Sequence, residues 1–277
     1  MKDDTRDLEQ YFEVNRARWD ESVPIHVASR GYDMEGFLRG EKSLCPVEIE
    51  EVGDVGGKTL LHLQCHFGLD TLAWARRGAA VTGVDFSGEA IAAAHALAAE
   101  VGVPATFVQS DVYELPERLG GAFDVVFSSH GVLCWLPDLA PWARVIAHFL
   151  RPGGRFCLIE GHPVPLLFDD TRSDGDLRIA FPYFHPGEPL RCERRGSYAA
   201  PDASFESVMY EWVHPLSEVV TALLAAGLRL ESFEEYPYAA WAILPSMEER
   251  PDGTWQLPAG TASLPLMFSL TASRPDA

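Results

Sequence analysis

Short apolar runs alternate with longer stretches that carry helix signals through the middle of the chain. The runs occupy residues 59–63, 80–85, 105–109, 123–127 and 155–159. An alanine-rich stretch after Ser87 reaches about Val101, and a further helical segment spans about 138–150. Short runs separated by helices are typical of βαβ units, whose right-handed crossovers build a parallel sheet covered by helices on both faces. The pattern therefore predicts an α/β fold.

The two ends of the chain and one internal segment depart from this alternation. Residues from about 7 to 20 mix apolar and charged positions as an amphipathic helix does, and a looser stretch follows to residue 57. From about 161 to 210 the chain is rich in Pro, Gly, Arg and aromatic residues, as a cap or insertion would be. We therefore expect an N-terminal helical segment at 1–57 and a main domain at 58–277 that carries this insertion.

The last part of the chain supplies further elements of the sheet. The sequence predicts a strand at 204–213, a helix at 215–226 that ends at Gly227, and two final strands at 228–233 and 264–271. Together with the five earlier runs, the two final strands predict a seven-stranded, mostly parallel sheet.

Charge and cysteine content restrict the partners of the protein. The formal net charge is −19, and such an acidic surface repels phosphate backbones and anionic lipid, so neither nucleic acid nor a membrane is expected. No stretch reaches the length of a membrane span, and the charged N-terminus lacks the apolar core of a signal peptide. The five cysteines form no CxxC pair, and the histidines lack metal-ligand spacing, so free thiols in a reducing cytoplasm and no metal site are expected.

Polar residues at the carboxyl ends of the predicted strands are the candidates for chemistry, because ligands of open parallel sheets bind there. Gly68 permits a tight turn after the first strand, although a lone glycine is often only a turn. Asp85 ends the second strand, where a carboxylate can accept both hydroxyls of a ribose; alternatively it only begins the next helix. Phe86 could cover one face of an adenine, and Ser87 is a plausible N-cap.

The third and fourth strands add a base-binding corner and a pocket floor. Asp111 can accept a hydrogen bond from an adenine amino group while Val112 packs on the ring, although a surface loop acid is the simpler alternative. Ser129 and His130 follow the fourth strand, and Trp135 comes shortly after them. Polar side chains and an aromatic wall at this point suit a pocket in which a donor meets an acceptor.

In their order, these features resemble a class I S-adenosylmethionine-dependent methyltransferase over about residues 58–160. The resemblance rests on the 60–68 loop, the 84–87 and 110–112 segments, and the turn at 150–154, which reads LRPGG before the fifth strand. It implies a Rossmann-like fold, S-adenosylmethionine as cofactor, and transfer of its methyl group to an oxygen or nitrogen atom of a small molecule. The sequence departs from the family at 62–68, where an acidic residue and a GxGxG-like run are usual and HLQCHFG stands instead.

The resemblance also implies roles for individual residues. The cofactor-binding candidates are Tyr11, Trp19, Gln64, Gly68, Thr71, Asp85, Phe86, Ser87, Asp111, Val112 and Ser129. The acceptor-binding candidates are Trp135, Tyr210 and Trp212, and the candidates for a general base are His130, His162 and His214. For each histidine a structural role is the alternative. The N-terminal helix is a candidate lid, in which Tyr11, Trp19 and His26 fold over the donor or, alternatively, only attach the helix to the sheet.

Two other functions compatible with the sequence stay open. One is a domain that binds S-adenosylmethionine without transferring its methyl group, as a regulator or scaffold; the unusual 62–68 loop keeps this alternative alive. The other is a protein methyltransferase, which the aromatic cap makes less attractive because it favours a small enclosed pocket. A monomer or a homodimer would serve any of these functions.

Overall fold

The structure is a computed structural model that describes residues 4–41, 44–169, 171, 175–184 and 187–276. Residues 170, 172–174 and 185–186 of the predicted insertion lie outside the described residues, as do residues 1–3 of the N-terminal segment.

A seven-stranded sheet forms the centre of the molecule, with the strands in the order β3-β2-β1-β4-β5-β11-β8. The strands are β1 (Thr59–Leu63), β2 (Ala80–Asp85), β3 (Thr106–Gln109), β4 (Phe123–Ser129), β5 (Leu150–Gly161), β8 (Arg229–Tyr236) and β11 (Met267–Ser273). β1 to β5 pair in parallel, whereas β11 runs antiparallel to both β5 and β8. The predicted α/β fold with a seven-stranded, mostly parallel sheet is confirmed.

Helices cover both faces of this sheet. They are α1 (Asp4–Val27), α2 (Met34–Arg39), α3 (Pro46–Val52), α4 (Leu69–Arg76), α5 (Gly88–Val101), α6 (Leu115–Arg118), α7 (Leu139–Phe149) and α8 (Leu216–Ala225). Because strand side chains alternate between faces, neighbouring residues of β1 enter two separate cores: Leu60 packs with Trp74 of α4, and Leu61 packs with Trp142 of α7. Each core is fully buried, which fixes the register of the central strands.

Two pairs of short strands and two short 3₁₀ helices lie outside the main sheet. β6 (Leu190–Arg195) and β7 (Glu206–Glu211) form an antiparallel hairpin within and just after the predicted insertion, and β9 (Glu248–Glu249) pairs with β10 (Trp255–Gln256). Short 3₁₀ helices occupy 133–135 and 165–167. Helix α1 packs against both α5 and β7, so it connects the main domain with the hairpin.

The N-terminal region is more regular than its sequence pattern indicates. Helix α1 is longer than the predicted 7–20 segment, and the stretch to residue 57, predicted to be looser, contains α2 and α3. Short helices of this kind lack a long apolar period, and each instead ends at a glycine: α2 at Gly40 and α3 at Gly53.

Candidate active site

The loop after β1 lies where the strand order reverses between β1 and β4, the usual ligand position in an open α/β sheet. Its alternate residues Gln64, His66 and Gly68 all have left-handed backbones, with φ of 55°, 52° and 77°. Only Gly68 adopts this conformation without strain, since non-glycine residues rarely have positive φ. The loop therefore has a backbone that favours glycine at three positions, and side chains at two of them.

Gly68 is also required sterically. A Cβ at this position would lie 2.6 Å from Cε1 of Phe107 and 3.0 Å from the Cβ of Ala94. Gly68 is the N-cap of α4, and its carbonyl accepts the hydrogen bond from the Leu72 N–H. The strand-to-helix turn thus depends on one small residue packed against β3 and α5.

Asp85 lies at the tip of β2 and is joined directly to the β1 loop. Its Oδ2 accepts a hydrogen bond from the His66 N–H at 2.8 Å, and its Oδ1 accepts one from the Ser87 N–H at 2.9 Å. Each carboxylate oxygen can accept a second bond, which leaves capacity for a pair of ligand hydroxyls. Burial raises the pKa of Asp85 to about 6.

Helix α1 attaches to the main domain beside Asp85. The Ser87 hydroxyl donates to Oδ1 of Asp20 at 2.6 Å, and the Glu89 N–H donates to the same oxygen at 3.2 Å. Ser87 also caps α5, since its Oγ accepts a hydrogen bond from the Ala90 N–H, as the sequence predicts. The N-terminal helix is thereby fixed to the start of α5, next to the predicted ribose carboxylate.

The predicted base-binding residues lie along the neighbouring strand end. Asp111 is half-buried, and its Oδ1 accepts a hydrogen bond from the Tyr113 N–H at 2.8 Å. Burial raises the pKa of Asp111. Val112 is buried, whereas Phe86 is only half-buried and its carbonyl accepts a bond from the Gln109 side chain. These positions keep an acceptor oxygen and two apolar groups at the same edge of the sheet.

Trp19 of α1 lies above the β1 and β4 loops. Its ring centroid is 5.1 Å from that of His66, 5.3 Å from that of Trp135 and 5.9 Å from that of His26. The indole Nε1 of Trp19 is buried without a hydrogen-bond partner in the described chain. The structure therefore brings the predicted donor residue Trp19 together with the predicted acceptor residue Trp135.

Two histidines connect α1 with the β1 loop. Nδ1 of His26 and Nε2 of His66 share a hydrogen bond of 2.8 Å, and Nε2 of His26 bonds to the Ser197 hydroxyl at 2.5 Å. Burial, followed by the nearby Arg18, lowers the pKa of His26 to about 4, and burial also lowers that of His66. Both imidazoles are therefore neutral at physiological pH, and they bridge the N-terminal helix, the loop and the cap.

The loop after β4 is held by a buried carboxylate, Glu160 of β5. Its oxygens accept hydrogen bonds from the N–H groups of three successive loop residues, Gly131, Val132 and Leu133, and from Gly161. Trp135 is fixed on the same loop, because its Nε1 donates to the Gly131 carbonyl at 2.7 Å. Glu160 thereby fixes the loop that carries His130 and Trp135.

His130 forms a pair with Glu48 of α3. Its Nε2 lies 3.2 Å from Oε1 of Glu48, while Oε2 of Glu48 accepts the Cys45 N–H at 2.6 Å. Burial lowers the pKa of His130, but the carboxylates of Glu48, Asp70 and Glu160, with Glu48 first among them, together outweigh burial, so the net shift is upward. The other ring nitrogen, Nδ1, is buried and has no partner among the described residues. A carboxylate on one ring nitrogen leaves the other as the basic one.

The other two histidine candidates are engaged with the protein. Nε2 of His162 bonds to Glu235 at 2.8 Å, and its Nδ1 accepts a bond from the Val164 N–H. Nε2 of His214 donates to the Leu136 carbonyl at 2.6 Å, and its Nδ1 lies 3.2 Å from Glu218. Both ring nitrogens of His162 and of His214 are thus used to hold strand ends and loops together. His130 differs, because one of its ring nitrogens is directed away from the Glu48 carboxylate.

The predicted acceptor residues on β7 lie against the first turns of α1. The ring of Tyr11 is 4.4 Å from that of Tyr210 and 6.2 Å from that of Trp212. The Asn15 side chain donates to the Tyr210 carbonyl and accepts from its N–H, at 2.8 and 2.9 Å. Tyr11 is therefore grouped with the predicted acceptor residues rather than with Asp85.

Several buried polar atoms around the two loops have no partner in the described chain. They are Nε1 of Trp19, Nε2 of His62, Oε1 of Gln64, Oγ of Ser128 and Nδ1 of His130. Thr71 contributes by holding the other nitrogen of His62 at 2.8 Å, and Ser129 is buried at the end of β4. Because buried polar groups are normally satisfied, such a cluster indicates where a polar ligand binds.

Several residues that form contacts in this site could not be identified as functional from the sequence. Asn15, Asp20 and Glu48 lie in polar stretches where any surface residue would look the same, and their partners are distant in the chain. Glu160 stands in the predicted fifth strand region, where a charged residue among apolar ones is a weak hint of a buried role.

The described residues also bear on metal binding and on membrane insertion. No group of three or more His, Cys, Asp or Glu side chains is arranged to hold a metal ion there. Among the helices of the described ranges, none combines the length and the apolar character that crossing a bilayer requires.

Comparison with known proteins agrees with this geometry. Residues 61–158 match the family model described as a methyltransferase domain. Ubiquinone biosynthesis O-methyltransferase from Aeromonas salmonicida is 35% identical over 133 residues, which are 47% of this chain and 56% of that protein. The enzyme of the same name from Sodalis glossinidius is 35% identical over 159 residues, covering 55% of this chain and 64% of that protein. The chain thus spans less than two thirds of these relatives.

Solved structures share the fold at low sequence identity. An S-adenosylmethionine-dependent methyltransferase from Mesorhizobium loti has a TM-score of 0.53 and 20% identity, over 83% of this chain and 96% of that one. A glycopeptide N-methyltransferase has a TM-score of 0.56 and 18% identity, over 90% and 92%. The latter protein has also been solved with S-adenosylmethionine bound. Residues 61–158 therefore match the model of a methyltransferase domain, and the chain shares its fold with these S-adenosylmethionine-dependent methyltransferases.

Proposed function

We propose that this chain is an S-adenosylmethionine-dependent methyltransferase that methylates an oxygen or nitrogen atom of a small molecule. The observation that carries the proposal is the position of Asp85. It is a buried carboxylate at the tip of β2, bonded to the left-handed β1 loop and adjoining the point where α1 attaches. The relatives to which the chain is similar are named O-methyltransferases, which also favours methyl transfer.

The residues present fit the cofactor. Asp85 has the acceptor capacity for the two ribose hydroxyls, and Asp111 has it for the adenine amino group, with Val112 beside it. The unpartnered atoms of Gln64 and His62 would meet the polar amino-acid end near the β1 loop. A positively charged sulfur is attracted to aromatic faces, which Trp19 and Trp135 supply.

When bound, S-adenosylmethionine would supply a methyl group on a positively charged sulfur, which transfers to the acceptor atom as the carbon–sulfur bond breaks and a neutral thioether is released. The chain's residues align the acceptor and exclude water, and these effects dominate when the donor is already activated. We assign His130 as the group that accepts a proton from an acceptor hydroxyl. Its Nδ1 is the basic atom, and Glu48 fixes the ring and stabilises the imidazolium that results.

The acceptor is proposed to be a small molecule rather than nucleic acid, since the net charge of −19 opposes a phosphate backbone. Helix α1 would act as the lid. The five cysteines form no disulfide among the described residues, which suits a reducing compartment such as the cytoplasm. A monomer or a homodimer is compatible with a site built within one chain, and light scattering of the purified protein distinguishes the two.

The test combines binding with turnover. Calorimetry with S-adenosylhomocysteine should give a dissociation constant that rises about tenfold or more in Asp85→Ala, because a buried acceptor of two hydroxyls is lost. Asp202→Ala, at an exposed position, is the matched control. Methyl-labelled S-adenosylmethionine with a panel of phenols, hydroxy acids and amines should yield a labelled product. Binding without transfer to any acceptor would favour a scaffold or regulator, and unchanged affinity in Asp85→Ala would contradict the ribose role.

A further inference from the structure

Arg18 is a buried cation on the inner face of α1. Its side chain is only 9% exposed, and no carboxylate of the described chain lies within ion-pair distance of it. One guanidinium nitrogen, Nη1, donates to the Ser22 hydroxyl at 2.9 Å, while the buried Nε has no partner in the described chain. A buried guanidinium with one side-chain hydrogen bond and no ion pair among the described residues is unfavourable in the free protein, which makes it a feature that function has to explain.

The surroundings of Arg18 belong to the acceptor side of the site. The guanidinium carbon lies 5.4 Å from the ring centroid of Phe205 and 6.0 Å from that of Trp19. Burial lowers the pKa of Arg18, whereas Glu211 on β7 and Tyr198 in the cap raise it, and Arg194 on β6 lowers it. Arg18 therefore faces the hairpin and the cap rather than Asp85.

Aromatic faces alone do not satisfy this side chain. A guanidinium carries five N–H donors in a planar fork, and a ring face neutralises part of its charge without accepting those bonds in a defined geometry. The edge that includes Nε matches the two oxygens of a carboxylate, which accept two parallel hydrogen bonds.

We propose that Arg18 binds a carboxylate group of the acceptor, so that the enzyme selects acidic aromatic substrates. The inference rests on the proposed function for the reaction itself, but the binding that it describes can be measured separately. The aromatic rings of Trp19 and Phe205 flank the anion, and Trp19 also meets Trp135 of the β4 loop. An acceptor bound to Arg18 would therefore lie along these aromatic rings and extend toward the β4 loop, which carries His130.

The overall surface charge gives this arrangement a second effect. At a net charge of −19 the protein repels anions in general, so a buried cation is needed to retain an acidic substrate. Neutral analogues lack the partner for Arg18 and leave the desolvated guanidinium unpaired, which produces discrimination by loss of binding.

The experiment uses the full chain saturated with S-adenosylhomocysteine and two probes of the same shape, benzoate and benzamide. Calorimetry should show benzoate binding at least tenfold more tightly than benzamide. In Arg18→Met the preference should disappear, and in Arg18→Lys it should be partly retained, because a point charge replaces the fork. Arg16→Met, at an exposed position on the same helix, is the matched control and should keep the preference. Circular dichroism verifies that each variant is folded.

The outcomes separate this proposal from the donor site. Equal binding of the two probes, no binding of benzoate, or a preference that survives in Arg18→Met would overturn the proposal. A second arm compares S-adenosylhomocysteine with methylthioadenosine, which lacks the amino-acid carboxylate. Arg18→Met should leave both affinities unchanged; a loss confined to S-adenosylhomocysteine would assign Arg18 to the donor and also overturn the proposal. Failure of the wild type to bind S-adenosylhomocysteine would instead contradict the proposed function.

Discussion

Asp85 shows how one residue can couple burial to ligand binding. Its carboxylate accepts backbone hydrogen bonds from His66 and Ser87, yet burial still raises its pKa to about 6, above the 3.8 of an unperturbed aspartate. Because the pKa in the folded state is raised, the contribution of Asp85 to stability is complete below the unfolded value and is lost as the pH rises through about 6. Ligand hydroxyls that donate to the ionised form reverse part of this loss.

The first prediction follows from that pKa. Affinity for S-adenosylhomocysteine should be constant above about pH 6. At lower pH it should decrease, approaching a loss of about tenfold for each pH unit, since protonation removes acceptor capacity from Asp85. Calorimetry between pH 5 and pH 8 measures this, and Asp85→Asn, which does not titrate, should bind more weakly with a flatter profile. An unchanged slope in Asp85→Asn would assign the dependence to another group.

Gly68 combines two separate constraints, a positive φ and close packing. Gly102 has a similar φ of 66°, compared with 77° at Gly68, but a Cβ at Gly102 would meet nothing within 4 Å. An alanine at either position would therefore strain the backbone, but only at Gly68 would its Cβ also clash with a neighbouring side chain.

The second prediction uses this pair. Gly102→Ala should lower the free energy of unfolding by about 1 kcal/mol, the usual effect of a residue with Cβ in the left-handed region. Gly68→Ala should lower it by about 2–4 kcal/mol, because the Phe107 ring has to move as well. Chemical denaturation measures both. Equal losses at the two positions would show that the β1 loop relaxes around the added methyl group.

At the scale of elements, α3 matters because it presents Glu48 to His130 of the β4 loop. The sequence stretch that forms α3 has no long apolar period, and its role becomes visible only when the helix is placed beside the sheet. The carboxylate raises the pKa of His130 against the effect of burial. As the proposed general base, His130 would act in its neutral form, so this pair would set the lower end of the working pH range.

The third prediction concerns that pair. Glu48→Gln removes the negative charge, so the pKa of His130 should fall and the acidic limb of the pH profile of kcat should move to lower pH. The plateau rate should also fall by about tenfold to a thousandfold, because the ring loses basicity and orientation. Glu50→Gln, exposed on the same helix, should change neither. A lower plateau with an unmoved limb would mean that Glu48 only supports the fold.

The regular elements of the main domain can be predicted from the sequence, whereas the site can be predicted only in part. The second strand and the Ser87-capped helix have the predicted bounds, because alternating burial, caps and glycines act over short distances. The left-handed conformations of Gln64 and His66 cannot be predicted from the sequence, since glutamine and histidine do not favour a positive φ. Arg18 and Glu48 contact residues that are distant in the sequence, so no local sequence pattern predicts their roles.

On the scale of the whole molecule, α1 joins the main domain to the hairpin formed by β6 and β7. Asp20 binds the start of α5, and Asn15 binds the backbone of Tyr210 with a donor and an acceptor, as a neighbouring strand would. Arg18 lies between these two attachments, with its guanidinium against the ring of Phe205. A helix fixed at both points can close the site only if the hairpin moves with it, so binding of donor and acceptor should be coupled.

The last prediction tests this coupling. Asn15→Ala leaves the N–H and C=O of Tyr210 without their side-chain partner, which should destabilise the protein by about 1–3 kcal/mol. Hydrogen exchange in the hairpin, residues 190–211, should accelerate, while exchange in β1 and β4 stays slow. Gln10→Ala, at an exposed position on α1, is the matched control and should show no effect. If the hairpin keeps its protection in Asn15→Ala while benzoate binding is also unchanged, the helix and the hairpin do not act as one unit.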